Sequence, residues 1–454
     1  MGCGAAHGEA LDLPARTGDF WLRLDALPAG PAPAPALPSD ALHFDSLAAL
    51  TDHALRSRAD SRAAWLGIQA EAARLDAATA ANWPTLTGQF SFIRSQALSS
   101  SGASVPVLHR YGPSLSLAYV LYDFGARAAG IDAERYQLIA TLLAGNRTLQ
   151  DIVSEVESAY YALVAARAGR DALVEQVASL QAGLDAVEIR LRSGQASRAD
   201  ALRARAALAE AQLARAASER DVAKAEAALK QAAGIAQTQT LALDWKSAVP
   251  PALDAVILLS DLLAEAERQR PDLQALRAAA AGAQREADNA RAARWPTLAL
   301  AASSGRTFFL EDDRTPSTTY SVGLNVSVPL FDGGRLADQA RAARRDAERS
   351  AALADAQRDT VALEVTQAWQ DARYAQDARA GIQVQFDSAT ESERAAEARY
   401  KAGVGSLLEW LTAQADLARA RQAQAQADSD WLAAFSRLNH ALGRIPPAHP
   451  ERQP

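Results

Sequence analysis

The chain states its layout twice. WPTL at 83–86 returns at 295–298, LYDFG at 121–125 returns as LFDGG at 330–334, and AYYAL at 159–163 returns as AWQDA at 368–372. RLRSGQASRADAL at 190–202 returns as RYKAGVGSLLEWL at 399–411, and LKQAAG at 229–234 as LNHALG at 438–443. The offset is 212 residues for the first pair and 209 for the other four. A spacing held over so many landmarks marks a duplicated unit, each copy about half of the 454 residues. A repeat of that size demands a pseudosymmetric architecture.

Each copy reads in the same order. A helical pattern runs from about Phe44 to Asn82, with apolar residues at Leu47, Leu50, Ala54 and Leu55, and Trp83-Pro84 stops it. The period then drops to two: Thr85 to Phe92 and Ser114 to Tyr122 alternate polar and apolar around Ser99-Ser-Ser-Gly-Ala. In the second copy Thr297 to Leu300 pairs with Thr319 to Val328, around a loop carrying Glu311, Asp312, Asp313 and Arg314. Each copy therefore holds one long β-hairpin with a polar tip. Alternation places Leu115, Leu117, Tyr119, Leu121, Tyr320, Val322, Leu324 and Val326 on one face. Ser114, Ser116, Thr319, Ser321, Asn325 and Ser327 fall on the other.

A Gly-containing turn leads from each hairpin into a proline-free helical pattern, 126–193 and 335–402, each roughly 100 Å long at 1.5 Å per residue. Shorter helices follow at 196–232 and 405–442, so Gly194 and Gly403 are helix-capping turns at the end remote from the hairpins. The expected map is a proline-rich extended segment (1–43), a first repeat (44–235, hairpin 85–122), a linker (236–257), a second repeat (258–443, hairpin 297–331) and a tail (444–454).

Composition decides how such a chain meets a membrane. Hydrophobic residues make up 49%, much of it alanine, and aromatics only 6%, which suits close helix–helix contact. The longest charge-free run, Thr315 to Phe331, holds two prolines and many Ser/Thr, whereas a spanning helix needs about 20 mostly apolar residues. Membrane residence would have to be as a β-barrel. Four strands cannot close one, since single-chain barrels start at about 8 strands, so the strand count calls for several chains sharing one barrel. A net charge of −7 with no basic stripe excludes nucleic acid as a partner. Six scattered histidines and the single Cys3 give no metal spacing and no disulfide framework, and no catalytic or phosphate-binding motif occurs, so no enzyme, metal or cofactor is expected. Cys3 after Gly2 reads in two ways, as the end of a lipoprotein cleavage site that would be lipidated or as an incidental cysteine.

In this ordered, repeated set of landmarks the chain resembles the TolC-like outer-membrane efflux and secretion channels, over roughly residues 44–443. The resemblance implies a mainly α fold carrying a membrane β-barrel: a homotrimer with a 12-stranded barrel on a helical periplasmic tunnel. It implies docking on a periplasmic adaptor (membrane fusion) protein that links the channel to an inner-membrane ABC or proton-driven transporter, with outer-membrane lipid around the barrel. It places adaptor contact at the Arg190–Gly194 and Arg399–Gly403 turns, and a periplasmic gate at Asp200, Tyr400 and Glu409. Two positions depart from the pattern: Gly405 stands where the gate's basic residue belongs, and Thr412 replaces the second acidic position of the constriction ring. The structural alternatives are solvated helix charges for Asp200 and Glu409, dipole-complementing arginines for Arg190 and Arg399, and core or membrane-interface roles for Trp83 and Trp295.

Two function classes remain. One is a trimeric export duct, serving type I protein secretion or multidrug efflux. The other is a coiled-coil scaffold of the cell envelope with no pore. The hairpins favour the duct, because a soluble coiled coil has no use for an apolar sheet face.

Overall fold

The computed structural model describes residues 42–96, 107–243, 258–310 and 315–444. The elements in chain order are β1 (Leu42–Phe44), α1 (Leu47–Ser57), α2 (Ala59–Thr79), β2 (Thr85–Ser95), β3 (Leu108–Tyr122), α3 (Ala126–Arg192), α4 (Arg198–Ala232) and β4 (Leu241–Leu243). The second copy supplies α5 (Leu259–Gln269), α6 (Pro271–Ala292), β5 (Thr297–Phe309), β6 (Ser317–Ser327), α7 (Arg335–Lys401) and α8 (Leu407–Leu442). The two long helices, α3 and α7, are each 67 residues, close to 100 Å. On the sheet side α3 packs against α2 and α6; on the remote side it packs against α4 and α8.

Both long helices start from the same device. The Asp123 carboxylate accepts the amides of Gly125 and Arg127, and Asp332 accepts those of Gly334 and Leu336. Gly125 and Gly334 take left-handed φ of 89° and 91°, which a side chain would resist. This is why both copies read L-x-D-x-G. The first copy pays more strain, because Phe124 also lies at φ 54° where the second copy has Gly333. Its ring is held between Tyr122 (4.8 Å between centroids) and Trp295 (5.6 Å).

The helical pattern expected to run unbroken from Phe44 to Asn82 is in fact a strand, two helices and a 3-10 turn over Ala80–Asn82. The break falls at Arg58, whose extended backbone (φ −69°, ψ 139°) caps α1 through its amide on the Ala54 carbonyl. Its guanidinium binds Asp60 and Glu155. In the second copy Arg270 breaks the chain the same way, ahead of Pro271, and binds Asp272 and Glu364. The long helices and the helices after them fall within a residue or two of expectation. The strands outrun the alternating runs: β2 continues to Ser95, β3 begins at Leu108 and β5 continues to Phe309, while β6 ends at Ser327, short of the expected 331.

Two equivalent cores sit at mid-height. One joins Leu50, Ala54, Ile152, Val156 and Leu229; the other joins Leu262, Ala266, Val361, Val365 and Leu438. Ala54 and Ala266 are both wholly buried, and their small side chains let the short helices lie close on α3 and α7. Burying each large aliphatic contributes about 1.5–3 kcal/mol. β1 and β4 pair in parallel over the first core. A third core at the remote end joins the copies through Leu180, Val187, Leu208, Leu407 and Trp410.

The four long strands form one antiparallel sheet in the order β2-β3-β5-β6, so the two hairpins join edge to edge through β3 and β5. Antiparallel partners share a face. Leu86, Leu117, Ala302 and Val322 fall in one cross-strand row, and Thr87, Ser116, Ser303 and Ser321 in the next. One face is thus apolar and the other small and polar. The two-residue period fails at one expected position: a register shift between Val120 and Tyr122 places Tyr122, not Leu121, opposite Leu298. At Gly112 an added Cβ would stand 1.9 Å from the Arg306 carbonyl oxygen, so only glycine fits that strand crossing.

Candidate functional site

The remote ends of the helix pairs are built by capping. Each long helix closes with a Schellman motif: Gly194 (φ 75°) and Gly403 (φ 77°) donate to Leu191 and Tyr400, and the next amides, Gln195 and Val404, donate to Arg190 and Arg399. The outgoing helices open on serine. Ser197 accepts the Asp200 amide while the Asp200 carboxylate accepts the Ser197 amide, a full capping box. Ser406 accepts the Glu409 amide. In the second turn Gly405 also donates to Arg399. A Cβ there would lie 2.9 Å from the Arg399 Cβ and 3.1 Å from the Tyr400 nitrogen, so close approach of backbone holds this position to glycine.

The structure brings some of the expected residues together and keeps others apart. The Arg190 guanidinium lies over the Tyr400 ring, 4.5 Å from its centroid, and its Nη1 donates to the Tyr400 carbonyl at 3.3 Å. Arg190 thus ties the first copy's turn to the second copy's. Arg399 pairs with Glu409 at 3.5 Å. Asp200 stays within its own turn, bonded to Ser197 and 3.5 Å from Arg203. The Ser197 hydrogen bond, then the Arg203 charge, holds its carboxyl below the ordinary range despite some opposition from burial. Thr412 turns its hydroxyl onto its own helix, donating to the Leu408 carbonyl. Cys3 and the hairpin-tip residues 311–314 lie outside the described residues.

Sequence reasoning missed the centre of this cluster. Trp410 stacks on Tyr400 at 5.2 Å with 15° between planes, and its Nε1 donates to Glu393 at 3.1 Å. Its six-membered ring fills the space over Gly183, where a Cβ would come within 2.9 Å. Arg190, Tyr400 and Trp410 form one stack spanning α3, α7 and α8. Its linear trace is a pair of aromatics without counterparts in the first copy: Tyr400 where that copy has Leu191, and Trp410 where it has Ala201.

At the other end the sheet presents an exposed apolar face. Leu86, Phe90, Tyr320, Val322, Leu324 and Val326 are each about two-thirds exposed or more. Trp83 and Trp295 are 74% and 54% exposed at the sheet–helix junction, so neither is a core residue. Among the described residues no helix is long and apolar enough to cross a membrane.

The family model described as outer membrane efflux protein matches residues 50–235 and 262–444, one segment in each copy. The chain belongs to the outer membrane efflux protein family. It is 31% identical to Protein CyaE of Bordetella pertussis over 87% of this chain and 83% of that one. Its fold is that of a membrane protein from Pseudomonas aeruginosa (TM-score 0.78, 24% identity, 92% of this chain and 99% of that one). It is also that of the outer membrane protein VceC of Vibrio cholerae (TM-score 0.75, 20% identity, 88% and 96%). Membership makes this an outer-membrane transport channel that extends into the periplasm.

Proposed function

We propose that three copies close their sheets into one twelve-stranded barrel above a continuous helical tunnel, a duct for substrates handed over from the inner membrane. One observation carries this: the sheet is apolar on one face and open at both edges, β2 and β6. In lipid each unpaired backbone group costs several kcal/mol, and pairing β6 with β2 of the next copy removes both edges. The helical layer is open in the same sense. Its flanking helices expose Trp65 and Leu66 on α2 and Leu353, Leu363 and Tyr374 on α7, which a neighbouring copy would cover. A pore-free scaffold leaves the apolar sheet face without a purpose.

The Gly194 and Gly403 turns, about 100 Å of helix away from the sheet, are the proposed contact for a periplasmic adaptor, itself coupled to an ABC or proton-driven transporter. Arg399 is exposed for that role, whereas Arg190 is engaged on Tyr400. The gate is placed at the same end, at Asp200, Tyr400 and Glu409. Its cargo is set by the pump: relatives of this chain carry names as different as solvent efflux and cation efflux.

Cysteines scanned along Thr85–Ser95 and Ser317–Ser327 test ring closure. Paired variants should give disulfide-linked trimers in membranes. A ladder that stops at monomer at every register would overturn the shared barrel.

A further inference from the structure

At mid-height the seam between the copies is hollow. A cavity of about 620 Å³ lies between α1, α3, α8 and the α5–α6 junction, within the size range of small-molecule sites. Leu55, Leu143, Leu149, Val153 and Pro271 make it mainly apolar. Two acceptors on α3 are set into this wall, Gln150 and Glu157, seven residues and about 10 Å apart along the helix axis.

Both acceptors are under-used. Gln150 is 7% exposed; its Nε2 donates to the Gly443 carbonyl at 2.9 Å, while its Oε1 has no hydrogen-bond partner among the described residues. Glu157 accepts a hydrogen bond from the Ser436 hydroxyl and has no cation beside it among the described residues. Burial lifts its carboxyl above the ordinary range, and the Ser436 bond only partly offsets this. The other charges at the cavity are committed elsewhere. Arg444 is bidentate to Glu265 at 2.7 Å, the charge of Arg268 also acts on Glu265, and His440 pairs with Asp151 at 2.7 Å. A desolvated carboxylate and an unmet amide oxygen in an apolar wall call for a ligand with a cationic donor and a hydrocarbon body.

We propose that this cavity is a binding site for small hydrophobic organic amines, with the ammonium on Glu157 and the apolar body along Leu149 and Val153. The site stands apart from the duct's apolar sheet face and its remote turns.

The test is calorimetric titration of the full chain in lipid nanodiscs, with empty nanodiscs subtracted, using 4-phenylbutylamine and its neutral isostere 4-phenylbutanol. The amine should bind about tenfold or more tighter than the alcohol. Glu157→Gln keeps the shape and the Ser436 contact; it should abolish that preference without lowering thermal stability. Val153→Trp fills the cavity and should abolish binding of both. If the filled variant fails to assemble, Glu157→Gln decides alone. Equal binding of amine and alcohol by the wild type, amine binding unchanged by Glu157→Gln, or no binding at millimolar amine overturns the proposal.

Discussion

The two copies hold their short helices with the same arginine, and they hold them unequally. Arg58 and Arg270 each break a helix, each bind the carboxylate two residues on, and each reach across to the long helix at Glu155 or Glu364. Each also donates to the last turn of the helix ending in the L-x-x-x-x-G motif, at the carbonyls of Ala232 and Ala441. Yet the Arg58 side chain is 16% exposed and that of Arg270 only 1%. Arg270 grips Asp272 through both Nε and Nη2, and Gln357 adds a bond to that carboxylate. Pro271 fixes the chain direction where the first copy has Ala59. Duplication preserved the interaction while burial set its energetic weight.

The largest expected effect breaks the pair at its buried member. Arg270→Ala leaves the mostly buried Asp272 without its cation, while Glu364 turns to water, and should cost about 3–5 kcal/mol, the range for a severed buried ion pair. Arg58→Ala, with water to replace it, should cost about 1.5–3 kcal/mol, the range for a hydrogen bond to a charged group. Thermal unfolding in detergent followed by circular dichroism compares them, and equal losses would contradict the burial argument.

The glycines that close over these arginines should follow the same order. Gly234 and Gly443 both have left-handed φ, 69° and 76°. A Cβ at 443 would meet backbone of Gln269 and Arg270 at 3.0 Å; at 234 it would first meet the Ser57 hydroxyl, which can rotate away. Gly234→Ala should cost about 1–2 kcal/mol from conformation alone, and Gly443→Ala measurably more. The same unfolding midpoints check this, and a larger loss at 234 would reverse the ranking.

Acid sharpens the comparison further. Burial would raise the Asp272 carboxyl, but the Arg270 hydrogen bond and charge outweigh it, and the net shift is downward. A carboxyl depressed in the folded state contributes stability above its unfolded pKa and loses it as pH falls through the folded one. The stability gap between wild type and Asp272→Asn should therefore be constant near neutrality. It should narrow as pH drops below the ordinary aspartate value of 3.8. A gap that does not change with pH would assign Asp272 a packing role only.

The smallest differences lie at the remote turns. Ser197→Ala removes a full capping box and should cost about 1 kcal/mol. Glu409→Gln removes an exposed ion pair to Arg399 and should cost well under about 1 kcal/mol. If Glu409 instead lines a constriction, planar-bilayer recordings will show a reduced cation preference in Glu409→Gln despite that small stability change. Unchanged reversal potentials would leave it a solvated helix charge.

Linear signals made most of the architecture legible. Repeats at constant offset give the duplication, the absence of proline over 67 residues gives the long helices, and period-two runs give the strands. Glycine and aspartate at fixed places mark the turns, because left-handed backbone and free amides admit few residue types. These are local constraints, and a sequence records local constraints directly.

What only the tertiary structure decided is every feature whose cause lies far along the chain. The break at Arg58 has no proline to announce it and exists because Glu155, 97 residues away, receives the guanidinium. Leu121 obeys the alternation on paper, but pairing with β5 inserts a register shift there. The stack of Arg190, Tyr400 and Trp410 over Gly183 joins both copies, and no window of sequence contains it. Burial, too, is set by the whole fold, which is why Arg58 and Arg270 look alike in sequence and differ in exposure.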